Sequence, residues 1–234
     1  MSPRSTRSAF SFCAAALLAA SALAHAQPGH TLDVDWETSG QDGRVAAVHA
    51  SCVPAAAGRT APGPNRSPAV RWSAGPAATR SYALALVDLD VPAALSTVNR
   101  AGAPIADDAP RITFPHWLLA NIPPTLTRLA EGEDGGGTQR GGLSPGWTPH
   151  GQRGVNGFAS LMKDGPYAGY MGPCPPWNDR VAHRYRLTVF ALDVARLPLG
   201  PSFTWTDLQA AMQGHVVAQG SAELRYSVAG DAAR

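Results

Sequence analysis

Glycine and proline punctuate this chain so often that long helices have little room to form. Of 234 residues, 24 are Gly and 21 are Pro. That share argues against a helical bundle and for a loop-rich, mostly β chain, since Pro breaks helix interiors and Gly weakens them. The chain is 44% hydrophobic with a formal net charge of +2, too apolar and too weakly charged for a disordered protein. Basic charge is carried almost wholly by Arg, with Lys163 the single lysine. No run of basic residues occurs, so a nucleic-acid partner is not expected.

Residues 1–26 read as a secretory signal peptide. Arg4 and Arg7 form its basic end, residues 9–23 its apolar stretch, and Ala24-His25-Ala26 a small-x-small cleavage site before Gln27. The apolar run is too short for a membrane span, and no other run is longer. Removing this segment leaves 17 basic and 17 acidic residues on residues 27–234, a neutral mature chain expected to form a single domain in the periplasm or outside the cell. Cys52 and Cys174 then remain, and in an oxidising compartment they are candidates for a disulfide. Spacing alone does not show that they meet.

Three segments read as buried strands: residues 81–89 (SYALALVDL), 116–122 (HWLLANI) and 184–192 (RYRLTVFAL). Weaker candidates are 44–48, 69–72 and 222–228. One helix is expected over 206–217, with Thr206 and Gln209 at capping-box spacing. Leu208, Ala211, Met212 and His215 would share its packed face. Long loops are expected at 54–68 and at 125–157, where ten Gly begin at Gly132 beside Glu131, Glu133 and Asp134. Strands ahead of one late helix indicate a mostly β domain.

Two motifs fail on context. Gly142-Leu143-Ser144-Pro145-Gly146 matches the nucleophile elbow of hydrolases, but Pro145, Gly146 and Pro149 forbid the helix that must follow. The glycine clusters at 135–137 and 141–142 have no G-K-[ST], so no phosphate-binding P-loop is present. A third group is more informative. Asp88 and Asp90 sit where the first buried strand is expected to run out. His116 opens the second, and His183, Arg184 and Tyr185 open the third, just after the Gly- and Pro-rich run 169–176. These residues could donate to an anion, with each Asp orienting a His. They could also hold a divalent metal, or simply cap strands and pair with Arg. No metal or cofactor motif supports the second reading, and no cofactor is expected.

In order along the chain, Asp88-Leu89-Asp90-Val91-Pro92, His116-Trp117, Gly172-Pro173-Cys174-Pro175-Pro176 and His183-Arg184-Tyr185 resemble the signature of the phosphatidylethanolamine-binding protein family. The likeness is to its bacterial Raf-kinase-inhibitor-like branch, the YbhB/YbcL type, and covers most of residues 45–228. It implies an antiparallel β-sheet fold with a few short helices, one near the C-terminus. It also implies a small pocket for phosphate and similar anions, phospholipid headgroups included. Carried over, the pocket would be lined by Asp88, Asp90, His116, Gly172, Pro173, His183 and Tyr185. The resemblance implies a non-enzymatic binding protein. A metal-dependent or acid–base hydrolase using the same cluster is the alternative, and an inhibitory protein-interaction module is compatible with the binding-protein reading. Leu89 and Val91 depart from the family's usual Asp-Pro-Asp-Ala-Pro, which puts the role of Asp90 in doubt. The segments 93–115 and 125–169 look longer than the family's compact pattern.

Overall fold

The computed structural model describes residues 30–37, 43–137 and 140–229; the signal-peptide segment and the cleavage site before Gln27 lie outside them. The first half of the chain supplies β1 (His30–Thr31), β2 (Val34–Trp36), β3 (Cys52–Ala55), β4 (Arg59–Pro62), β5 (Val70–Trp72), β6 (Ser81–Pro92) and β7 (Arg111–Ile122). There follow β8 (Arg128–Leu129), β9 (Gly146–Thr148), β10 (Gly151–Arg153), α1 (Phe158–Leu161), β11 (His183–Leu192), α2 (Trp205–Met212) and β12 (Val216–Tyr226). Seven strands form one sheet in the order β1-β12-β11-β6-β7-β10-β9, antiparallel except for the β1–β12 edge. A second sheet, β2-β5-β8, packs across it, and β3-β4 form a hairpin.

The continuous apolar run of β6 has the meaning expected of it: the strand is covered on both faces. Leu84 and Leu86 turn towards Trp36, Val70 and Trp72 of the smaller sheet, together with Trp117, Leu119, Leu187 and Val189 of its neighbours. Ala83 and Ala85 turn the other way, with Leu118, Ala120 and Leu192, to meet Phe203, Leu208 and Met212. Alternation along a strand divides the residues between the two layers. Burying each large aliphatic side chain contributes about 1.5–3 kcal/mol.

The expected helix is present but displaced and shortened. Its N-cap is Thr204, whose hydroxyl accepts from the Asp207 backbone while the Asp207 carboxylate accepts in return, so the capping box is Thr204/Asp207 rather than Thr206/Gln209. Leu208 and Met212 are its buried residues. Gln213 leaves the helical region and Gly214 takes φ +81°, ending the helix so that Val216 onwards can pair with β11. His215 is therefore outside the helix and half exposed, its Nδ1 2.9 Å from Asp193 Oδ1. Residues 44–48 form only an isolated bridge and a single helical turn, while 54–62 fold back as the β3-β4 hairpin. The long 125–157 segment contributes β8, β9 and β10. Ser144 of the nucleophile-elbow match lies in a loop, with no strand before it or helix after it.

Candidate functional site

The site is built where the ladder between β6 and β7 is irregular. Leu86 pairs with Trp117 and Val87 with Pro115, so His116 is an extra residue on β7. A second irregularity lies between Asp88, opposite Phe114, and Val91, opposite Ile112. Bulges interrupt side-chain alternation and re-aim individual residues. Accordingly His116 and its neighbour Trp117 both lie on the Tyr185 side of the sheet, the His116 and Tyr185 rings 5.3 Å apart. Both irregularities fall next to proline, whose missing N–H cannot serve a ladder. Asp88, Asp90 and His116 thus lie within strands, not at the strand ends expected from the sequence: β6 continues to Pro92 and β7 begins at Arg111.

His116 is buried, and its Nδ1 lies 2.6 Å from the Met171 carbonyl oxygen. That oxygen can only accept, so Nδ1 carries the proton and Nε2 is the nitrogen that remains. Burial holds the pKa of His116 below the ordinary histidine value, partly opposed by nearby Asp88, which favours the neutral ring. The rings of Phe114 and Phe158 stand edge-on to it at 5.5 and 5.4 Å.

His183 has the opposite electrostatics. Its Nδ1 lies 2.8 Å from Asp88 Oδ2 and its Nε2 3.1 Å from Asp179 Oδ2. Burial alone would depress this histidine, but two flanking acids prevail and raise it to about 9. It is therefore an imidazolium with both N–H groups committed. Arg111 closes the outer end of the row with two hydrogen bonds to the Asp179 carboxylate, whose Oδ1 also accepts from Val181 N–H at 3.0 Å. Those partners keep Asp179 below the usual carboxylate range despite its burial. At the inner end, Asp88 Oδ1 accepts from the Asp90 backbone at 2.8 Å. Breaking one member of such a buried row leaves an uncompensated charge, at a cost of about 3–5 kcal/mol.

Asp90 goes to an arginine. Its carboxylate accepts from the Arg184 backbone at 2.8 Å, and from Arg184 Nε and Nη2 at 3.0 and 2.8 Å. Arg111 Nη1 donates to its carbonyl. These bonds to Arg184 outweigh burial and hold the Asp90 pKa down. The structural reading weighed in the sequence therefore describes Asp90 well: it fixes the bulge and the start of β11.

Tyr185 is fully buried, paired on the ladder with Asp88. Its hydroxyl makes no hydrogen bond of ordinary geometry with a described residue, although the Asp88 carboxylate and the Cys174 backbone lie near enough to influence it. Burial and the neighbouring Asp88 push its pKa well up, so it stays a neutral donor. Gly172 and Pro173 reach this region with their polar groups already in use. Gly172 N–H donates to Asn65 Oδ1 at 2.7 Å, and its carbonyl accepts from Ser51 Oγ at 2.8 Å. Pro173 carbonyl accepts from Ser51 N–H at 3.0 Å. A Cβ on Gly172 would stand 1.9 Å from the His49 carbonyl oxygen, so only glycine lets the loop approach that closely. The Cys52–Cys174 disulfide, Cα atoms 5.0 Å apart, ties the same loop to β3.

The sequence-derived residues thus come together, but the donors differ from the simplest expectation. His183 has no free ring nitrogen and the Gly172 N–H is taken. His116 Nε2 and the Tyr185 hydroxyl remain. Asp179, Arg111, Asn65 and Ser51 were not singled out in the sequence; only the four-residue offset of Asp179 from His183 hinted at any of them. Among the described residues no group of three or more His, Cys, Asp or Glu is arranged to hold a metal ion, and no helix is long and apolar enough to cross a membrane.

The family model for phosphatidylethanolamine-binding protein matches residues 38–227. The chain belongs to that family. A UPF0098 protein of Methanothermobacter thermautotrophicus is 31% identical over 160 residues, 68% of this chain and 82% of that protein. The UPF0098 protein YbcL of Escherichia coli is 30% identical over 140 residues, 58% of each chain. The crystal structure of E. coli YbcL, described as a new member of the mammalian PEBP family, superposes with a TM-score of 0.59 at 25% identity, covering 85% of this chain and 99% of that one. A Chlamydia trachomatis homologue has the same fold, with a TM-score of 0.56 over 84% and 97% of the two chains.

Proposed function

We propose that the chain is an exported, non-enzymatic protein of this ligand-binding family. On this reading it binds phosphate, or the phosphate group of a small molecule or phospholipid headgroup, beside His116 and Tyr185. One observation carries it: the buried Tyr185 hydroxyl makes no hydrogen bond of ordinary geometry with a described residue, and its ring stands edge-on to a buried His116 whose Nδ1 is fixed. Buried polar groups are nearly always hydrogen-bonded; of the four buried unpartnered atoms among the described residues, Trp36 Nε1, Trp72 Nε1, Thr79 Oγ1 and Tyr185 Oη, the last belongs to the ring packed against His116. Membership of the phosphatidylethanolamine-binding protein family supports the same ligand class. The disulfide supports export, because such bonds persist in oxidising compartments.

The surrounding charges pair off in a row, and binding rests on hydrogen bonds from Tyr185 and from a His116 that takes up a proton as the anion arrives. Asp88 and His183 act behind them as positioning residues.

Histidine-ring NMR with phosphoethanolamine tests the proposal. The His116 signals should shift at millimolar ligand while His215 stays still. A folded protein whose His116 signals do not move would overturn it.

A further inference from the structure

Beside this cluster, and sharing none of its residues, lies a cavity of about 500 Å³, within the range that encloses small molecules. Its walls come from residues 100–104, from the stretch that follows the Gly-Pro loop, and from Val228 and Ala229 after β12, with Gly58 at the β3-β4 turn. Trp177, Pro104, Ala103 and Val228 give it an apolar surface, and Arg100 and Arg180 its charge. The Arg59 guanidinium lies 5.5 Å from the Trp177 ring centroid. Arg100 and Arg180 make no side-chain ion pair or hydrogen bond with any described residue, and no carboxylate of a described residue lines the cavity.

The walls are held by bonds that cross between the two segments. Asn178 Nδ2 donates to the Thr97 and Ala103 carbonyls at 2.8 and 2.7 Å, and Asn178 Oδ1 accepts from Asn99 N–H at 2.8 Å. In return Asn99 Oδ1 accepts from Trp177 N–H at 3.0 Å, and the Asn178 carbonyl accepts from Ile105 N–H at 3.1 Å. Asn99 and Gly102 take positive φ to make these turns. The cavity is therefore built into the fold, and little ordering has to accompany occupation.

We infer that this cavity is a second binding site, for a small flat anion with an aromatic or alicyclic ring. Its ring would lie against Trp177, Pro104 and Val228, and its oxyanion on Arg100 and Arg180. Guanidinium groups match planar oxyanions through paired, charge-assisted hydrogen bonds, and the apolar lining excludes a preference for bare inorganic anions. The inference stands independently of the phosphate reading, because the two sets of residues are disjoint.

The probe is 2-naphthoate, added to the full chain while the Trp177 indole N–H is followed by NMR, its signal assigned with Trp177→Phe. That signal should move at millimolar naphthoate, with 2-naphthamide and sulfate each binding at least about tenfold more weakly, the equivalent of one hydrogen bond. The Arg100→Ala/Arg180→Ala double variant alters only exposed side chains, so it should fold normally and lose about the same factor. An unmoved indole signal, unchanged affinity in the double variant, or shifts confined to His116 would each overturn the site.

Discussion

Two buried histidine–aspartate clusters lie on this sheet, and they differ in what they leave unpaired. Around Asp134, in the glycine-rich segment, every polar atom has a protein partner. Its Oδ1 accepts from Arg153 Nε at 2.8 Å, from Arg153 Nη2 and from His150 Nε2 at 3.1 Å, and its Oδ2 accepts from Trp117 Nε1. Its backbone N–H donates to Ser67 Oγ at 3.0 Å, and its carbonyl accepts from Tyr170 N–H. Around Asp88 the acids and bases are equally well paired, yet the Tyr185 hydroxyl and His116 Nε2 are left over. A fully satisfied buried network rigidifies a fold; one with oriented donors to spare can also receive a ligand. The first cluster is a clamp, holding the segment that precedes Tyr170 and Met171. The second, on the proposed function, is a receptor.

Four perturbations bear on that contrast. The largest effect should come from the disulfide that braces the receptor side. Cys52→Ala/Cys174→Ala frees a loop spanning 122 residues and should cost about 4–5 kcal/mol in the chain-entropy account, read by urea unfolding. Asp134→Ala should cost about 3–5 kcal/mol, because Arg153 is left buried without its partner. Its phosphate affinity, measured where the variant is still folded, should change little. A large, selective loss of affinity there would erase the distinction between clamp and receptor. Tyr185→Phe should behave in the opposite way, with stability unchanged or slightly raised but phosphoethanolamine affinity down by about tenfold.

The fourth is a pH dependence. His183 is raised from an ordinary 6.5 to about 9, so the folded state holds its proton more tightly than the unfolded chain does. Its contribution is complete below about pH 6.5 and disappears as pH rises through about 9. Melting temperature should fall across that window, and Asp179→Asn should flatten the decline. A melting temperature that rises over the same range would contradict the charge row.

Much of this was legible in the sequence, for reasons particular to each element. β6 announces itself because a strand covered on both faces needs near-continuous apolar residues, and β11 because its first residues alternate between charged and apolar. Leu208 and Met212 reveal the late helix by their spacing. Its boundaries were misplaced because Thr204/Asp207 and Thr206/Gln209 are both plausible caps, and the pairing of Val216 with β11 decides between them only in three dimensions. The bulge at His116 was invisible, since register is a property of two strands and not of one. Asp179 and Arg111 escaped for a similar reason: they are 68 residues apart, and their partnership is created by the fold. Family resemblance gathered residues that the fold brings together, but the geometry distinguishes them: His183 and Asp90 are fully paired, while His116 Nε2 remains available.

The central claim is that His116 is neutral in the free protein and acquires its Nε2 proton when an anion binds. Calorimetry with sulfate at pH 7, repeated in two buffers of different ionisation enthalpy, measures that proton directly, because sulfate itself does not titrate there. Net uptake of a proton on binding is predicted, together with its loss in His116→Gln. Binding without proton uptake, or uptake that persists in His116→Gln, would contradict the account.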